Sequence, residues 1–137
     1  MSVHSAAAED LRFPTRPDLP SAIVRAADLP WRATKFPGVE FKLLFEDKAT
    51  GLFTGLFRWA PGAELPYHEH AALEQTYVLE GGLIDHEGTL EAGSYAARPT
   101  GSRHVARASP AGCLNISFFL SPNLFFDDDG KASPFER

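Results

Sequence analysis

The chain has 137 residues, a length that fits one domain and suffices to bury a core without disulfide staples. Hydrophobic residues make up 44% and charged residues 23%, which excludes a wholly disordered chain. The formal net charge is −5 and no Lys/Arg cluster occurs, so nucleic acid and anionic membrane lack their electrostatic footprint, and a small molecule or another protein is the better-matched partner.

Residues 1–35 read as a proline-rich N-terminal arm. Pro14, Pro17, Pro20 and Pro30 interrupt any long helix, because proline lacks the amide hydrogen and clashes with the preceding turn. The start, "MSVHSAAAED", has neither the basic residues nor the apolar run of a signal peptide. No apolar stretch approaches the ~20 residues needed to span a bilayer, so the cytoplasm is the expected location. "SAIVRAADLPW" has room for one short strand or helical turn. The arm is expected to lie on the domain and, in an assembly, on a partner subunit.

Residues 36–126 change character. "VEFKLLFED", "GLFTGLFRW", "EQTYVLEG", "LIDHEG", "SYAARP", "HVARAS" and "CLNISFFLS" are short segments rich in β-branched, aromatic and leucine residues. Gly51, Pro61-Gly62, Gly81-Gly82, Gly88, Gly93, Pro99/Gly101 and Pro110/Gly112 punctuate them. Such spacing indicates an all-β antiparallel sandwich or barrel, with no helix longer than two turns. Residues 127–137 read as a polar tail. Its Asp127-Asp128-Asp129-Gly130 run lacks the alternation and closing glutamate of a calcium loop and reads as a solvated turn. The single cysteine, Cys113, can form no intrachain disulfide and reads as a buried, small apolar side chain.

The chemistry concentrates in "YHEHAALEQTYVLEGG", residues 67–82. Side chains two apart on a strand leave the same face, so His68 and His70 project together while Tyr67 and Glu69 point away. Two imidazoles aimed at one point form a platform suited to Zn, Fe, Ni or Cu, and Glu74 can add a carboxylate. One strand cannot close a coordination sphere, so a further ligand must come from elsewhere. Of the five histidines, His4 lies in the leader and His86 in the turn "DHEG". His104, on a strand entered through a Pro/Gly turn, remains.

The spacing G-x5-H-x-H-x3-E-x6-G is met by Gly62, His68, His70, Glu74 and Gly81, and G-x5-P-x-G-x2-H by Gly93, Pro99, Gly101 and His104. These two motifs resemble those of the cupin superfamily. The second departs at one position, where Ala108 replaces an expected asparagine. The resemblance covers residues 39–120 and implies a cupin-type antiparallel β-barrel with one divalent metal ion near its centre. It also implies that His68, His70, Glu74 and His104 are the metal ligands. The wider phrasing is similar to the metal-binding anti-sigma-factor cupins and the acetylacetone-cleaving dioxygenases. Since His104, Ala106 and Ala108 alternate onto one face, Ala108 should look inward, where alanine cannot make the hydrogen bond an asparagine would.

Three imidazoles and a carboxylate leave two positions open on a six-coordinate ion, the general arrangement of non-haem Fe(II) oxygenases. Iron is the first choice, with zinc, nickel and manganese as alternatives. A chelated enol or diketone would be activated by the ion as a Lewis acid. Should Glu74 swing away to act as a base, a three-histidine site results. Phe53, Phe57 and Trp59 share one strand face, and Cys113, Asn115, Ser117 and Phe119 another. Pointing inward, these faces give an apolar pocket with a few polar fixtures, although core packing accounts equally well for the aromatics. Arg58, Arg98, Arg103 and Arg107 are candidate clamps for an anionic substrate, with surface ion pairing expected for at least three. Glu64, Glu69, Glu87 and Glu91 are expected in solvent. The resulting expectation is a metal-dependent dioxygenase acting on a small diketone or aromatic ketone, with Glu74 as catalytic carboxylate. The alternative is a non-catalytic metal sensor or ligand-binding barrel; a sensor needs a helical partner-binding module for which residues 1–35 are too short and proline-broken. Strand edges and the arm favour a homodimer.

Overall fold

The computed structural model describes residues 15–137. His4 and the leader on which the signal-peptide reading rests lie outside the described residues. Ten strands follow a 3-10 turn at Ala26–Asp28: β1 Arg32–Ala33, β2 Val39–Asp47, β3 Leu52–Trp59, β4 Glu64–Glu69, β5 Glu74–Asp85, β6 Gly88–Glu91, β7 Tyr95–Arg98, β8 Arg103–Phe119, β9 Leu124–Phe126 and β10 Ala132–Pro134. Every pairing is antiparallel. The all-β expectation holds. Among the described residues, no helix is long and apolar enough to cross a membrane.

The strands form one curled sheet ordered β1-β2-β3-β8-β4-β9-β10, with β5 pairing β6, β7 and β8. The long β8 is its spine. On one side its first half pairs β4 and its second half pairs β3; on the other, β5 follows both halves. Gly81-Gly82 and Pro110/Gly112, expected to separate strands, instead bend continuous ones. Gly81 has φ 69° and Gly112 φ 80°. A Cβ on Gly81 would stand 2.0 Å from the Gly112 carbonyl oxygen, and one on Gly112 would stand 2.7 Å from that of Trp59. Only glycine lets these backbones cross so closely while the ladder resumes beyond the bend. At Pro61-Gly62 a true turn forms, with Ala63 N–H donating to Ala60 O at 3.0 Å and Gly62 at φ 71°.

Alternation places Phe53, Phe57 and Trp59 of β3, and Asn115, Ser117 and Phe119 of β8, inside the curl. One end of the interior is aromatic. Phe53 stacks on Phe119 with centroids 4.3 Å apart, and Phe135 lies 5.4 Å from Phe41 and 6.0 Å from Phe53. The C-terminal segment therefore differs from the polar tail read from sequence. Its acidic run is an exposed turn, but Lys131 and Asp127 close that turn with backbone and side-chain bonds, β10 pairs β9, and Phe135 enters the core. One phenylalanine among polar neighbours carries no periodicity.

The described part of the arm, residues 15–35, lies along β2 and β3. Lys42 Nζ donates to Ala26 O at 2.7 Å, Arg16 pairs with Asp47 at 2.9 Å, and Trp31 sits beneath Arg58 at 4.1 Å.

Candidate metal centre

The β4–β8 register pairs Leu65 with Ala106 and His68 with His104, so β4 carries one extra residue at Pro66-Tyr67. This bulge resets the strand's parity. Leu65 and His68, three apart, both face inward, and Tyr67 faces out. His70 lies just past the end of β4, where its N–H donates to Ser102 O at 2.9 Å and its carbonyl accepts from Gly101 N–H at 2.8 Å. The Pro99–Gly101 turn of the second motif is thereby locked onto the two histidines of the first.

His68, His70 and His104 converge, all buried, with one ring nitrogen of each lying within 4.8 Å of the others. Each Nδ1 is already engaged. His68 Nδ1 donates to Pro66 O at 2.7 Å. His70 Nδ1 donates to Ser102 O at 3.0 Å and to Ser102 Oγ at 2.8 Å. His104 Nδ1 donates to Asp85 Oδ2 at 2.7 Å. Carbonyls and carboxylates only accept, and Ser102 Oγ spends its own proton on Pro99 O. The Nδ1 atoms therefore carry the protons and the Nε2 lone pairs are left over. His70 Nε2 is buried without a hydrogen-bond partner. Burial drives the His68 pKa down to about 3, and burial likewise lowers that of His70 against the opposing pull of Glu74. Neutral imidazoles presenting lone pairs to one point are the donor set that divalent transition ions take.

Glu74 opens β5 beside this cluster rather than within it. Its Oε1 lies 3.5 Å from His70 Nε2. Asn123 Nδ2 donates to Oε1 at 2.8 Å and Thr76 Oγ1 to Oε2 at 2.9 Å. Behind Thr76 runs a chain of donors: Trp59 Nε1 to Asn115 Oδ1, Asn115 Nδ2 to Ser117 Oγ, and Ser117 Oγ to Thr76 Oγ1, at 2.8, 3.0 and 2.7 Å. With Thr76 committed to Glu74, each hydroxyl has one consistent direction, and the chain ends on the carboxylate.

A cavity of about 50 Å³ adjoins His68, Glu74 and His104, walled by apolar groups such as Phe57, Leu83 and Phe119. Asn115 and Ser117 line it, while Phe53 packs away from it in the aromatic cluster. Of the four arginines, Arg58, Arg103 and Arg107 form exposed pairs with Glu40, Glu69 and Glu64. Arg98 alone lines the cavity, bonded to Asp85 at 2.8 Å and Glu87 at 2.9 Å. His86 is exposed, Cys113 is buried with its thiol pushed up to about 12 by burial, and Ala108 faces inward as expected.

Asp85, Ser102, Thr76 and Asn123 were missed by the sequence reading. The signal for Asp85 was available in principle: β5 read through Gly81-Gly82 places it opposite the strand that carries His104. Burial raises the Asp85 pKa, but the His104 hydrogen bond, the Glu87 amide and the Arg98 guanidinium together outweigh it and hold the carboxyl below its ordinary range.

A family model described as the ChrR cupin-like domain matches residues 20–121. The chain belongs to the ChrR cupin-like family. This ChrR-like cupin is 28% identical over 101 residues to the acetylacetone-cleaving enzyme of Acinetobacter johnsonii. That match takes in 69% of this chain and 66% of the relative, just under two thirds of its length. The crystal structure of an acetylacetone dioxygenase from Acinetobacter johnsonii aligns with a TM-score of 0.77 at 22% identity, covering 92% of this chain and 91% of that one. The structure of Rhodobacter sphaeroides SigE in complex with the anti-sigma ChrR aligns with a TM-score of 0.61 at 22% identity, covering 86% of this chain and 65% of that one. At these identities the structural likenesses establish the cupin fold.

Proposed function

We propose that this ChrR-like cupin is a metal-dependent dioxygenase acting on a small diketone or aromatic ketone, with His68, His70 and His104 holding one divalent ion, Fe(II) in preference to Zn, Ni or Mn. The observation that carries the metal assignment is the set of three Nδ1 atoms, each satisfied by the protein, which leaves three Nε2 atoms for one ion. The likeness to the acetylacetone-cleaving enzyme supports the reaction class.

When bound, the ion supplies Lewis-acid activation of a ketone or enolate that chelates it. The chain's own groups supply the rest. Phe57, Leu83 and Phe119 exclude water and fit an apolar ligand body, and the small cavity favours a compact one. Glu74, held open by Thr76 and Asn123, is the carboxylate that either joins the three imidazoles as fourth ligand or takes the proton from the carbon between two carbonyls. The hydrogen bonds to its two oxygens orient Glu74 for either role, and Oε1, 3.5 Å from His70 Nε2, lies within reach of an ion that the imidazoles would hold.

The reading extends to a cytoplasmic homodimer. Tyr77, Leu79, Tyr95, Phe118 and Leu120 are large apolar side chains exposed on or beside β5, β7 and β8, a surface that suits a second copy. Sedimentation of the purified protein gives twice the chain mass if so.

Oxygen uptake by Fe(II)-loaded protein across a panel of 1,3-diketones and aromatic ketones tests the activity. Consumption stoichiometric with ketone cleavage supports it, and no uptake with iron verified in place removes it. The second reading, a non-catalytic metal sensor, is favoured by the family match and the likeness to ChrR. It predicts metal binding without turnover and metal-dependent capture of a protein partner.

A further inference from the structure

We infer that Asp85 is a positioning residue that makes His104 the strongest donor of the three imidazoles and fixes the tautomer in which it can bind an ion. This rests on the reading of the three histidines as metal ligands.

The three Nδ1–H groups have chemically different acceptors. His68 donates to a backbone carbonyl, and His70 to a carbonyl and a hydroxyl, all neutral. His104 donates to a carboxylate oxygen at 2.7 Å. The side chains of His104 and Asp85 are 8% and 3% exposed, so solvent does not dilute the contact. A charged acceptor makes such a bond roughly twice as strong as a neutral one. It draws the Nδ1 proton away and raises electron density at Nε2, the atom that would meet the ion.

Asp85 is held so that it can do little else. Its Oδ1 accepts the Glu87 N–H at 2.8 Å. Its Oδ2 is shared by His104 and Arg98, and Arg98 is tied in turn to Glu87. Asp85 ends β5, Arg98 ends β7 and His104 lies at the start of β8, so three strands fix the triad. Arg98 also offsets part of the cost of keeping the carboxylate's charge buried beside the cavity.

A purely structural alternative exists: Asp85 closes the β5–β6 turn through Oδ1 and the His104 contact is incidental. Asp85→Asn separates the two. The amide oxygen can still accept the Glu87 N–H, but its NH2 then faces His104 Nδ1. Donor would meet donor unless His104 moves its proton to Nε2, where it blocks ligation.

The experiment combines Zn(II) titration against a chelator with 15N NMR of the His104 ring in metal-free protein. Wild type is expected to show the Nδ1–H tautomer. D85N is expected to show Nε2–H and to bind Zn(II) about 10–100-fold more weakly, the range that outer partners of ligating histidines command. S102A, which removes a neutral acceptor while the Ser102 carbonyl remains, should change affinity by less than D85N does, about tenfold at most, and leave the His104 tautomer unchanged, since the loss is one neutral bond on another ring. An Nε2–H tautomer in wild type overturns the inference without recourse to any variant. So does Zn(II) affinity in D85N equal to that of wild type. Wild type that takes up no Zn(II) overturns the metal reading itself, which keeps the two failures distinct.

Discussion

His68 and His104 are register partners across the antiparallel β4–β8 pair, with ring centroids 4.5 Å apart. Directly opposed residues on one face of a sheet are its closest side-chain neighbours, so the ladder itself sets their separation. His70 then reaches the same point from beyond the end of β4, pinned by Ser102. The rigidity of the trio comes from backbone pairing.

Substituting one of the pair should therefore remove more than one donor's share. His104→Ala is expected to lower divalent-metal affinity by more than the about 10–100-fold attributable to an outer partner. Competition with a chromophoric chelator reads this directly, and an affinity within that range would mean His104 is not a ligand.

Acid should weaken the metal-free fold. The His68 pKa of about 3 in the folded protein lies well below the ordinary 6.5 because burial disfavours the cation. The unfolded chain thus binds a proton the folded one refuses. The stability held by neutral His68 is complete above about pH 6.5 and declines as pH falls from there towards 3. Asp85, also lowered, adds loss of the same sign below the ordinary carboxylate range. Urea midpoints of chelator-treated protein should drop between pH 7.5 and 4.5, and equal midpoints would contradict the buried neutral state. Because burial lowers the pKa of His68 and His70, protons compete for these imidazoles only below the ordinary histidine range, so dialysed protein should keep its ion at about pH 6.5 and lose it on stronger acidification.

Gly81→Ala should destabilise the fold by about 3 kcal/mol or more, combining a positive-φ penalty with a backbone clash. The new Cβ would meet the Gly112 carbonyl at 2.0 Å, and neither strand can yield without breaking the bend. Gly88→Ala offers a control, because its Cβ would meet nothing within 4 Å, leaving backbone conformation as the only penalty. Chemical denaturation of both variants should rank Gly81→Ala as clearly the worse.

Phe135→Ala should cost about 3–5 kcal/mol, the usual range for a buried phenylalanine. Its ring touches Phe41, Phe53, Phe57 and Phe125. Phe125 in turn packs 5.0 Å from His68, so the loss should also lower metal affinity. Thermal unfolding and metal titration of the variant check both parts.

The elements differ in how openly the sequence declares them. The shared face of His68 and His70, the turn at Pro61-Gly62 and the inward face of Ala108 follow from period-two alternation and turn chemistry, whereas the joining of Glu74 and His104 to that pair came from the likeness of the motif spacing to cupins. The β4 bulge could not be read this way, although it leaves the parity of His68 and His70 intact, because the extra residue lies before them. The sequence reading took Gly81-Gly82 as a strand boundary, since glycine marks turns and bends alike and only the facing Gly112 backbone distinguishes them. Reading β5 as ended there hid Asp85. Thr76 and Asn123 were hidden for another reason: a polar residue on a strand or loop declares a hydrogen bond only when its partner, here Glu74, is seen in space. Phe135 could not be found from pattern, being a single apolar side chain in a polar run.

The account depends most on one ion held by these three imidazoles. Elemental analysis after reconstitution with Fe(II), Zn(II), Ni(II) and Mn(II) in turn, run alongside His68→Ala, tests it most directly. The account predicts one bound ion per wild-type chain for at least one of these metals and none in the variant. Wild type that remains metal-free throughout, or a variant that loads as fully as wild type, would contradict it.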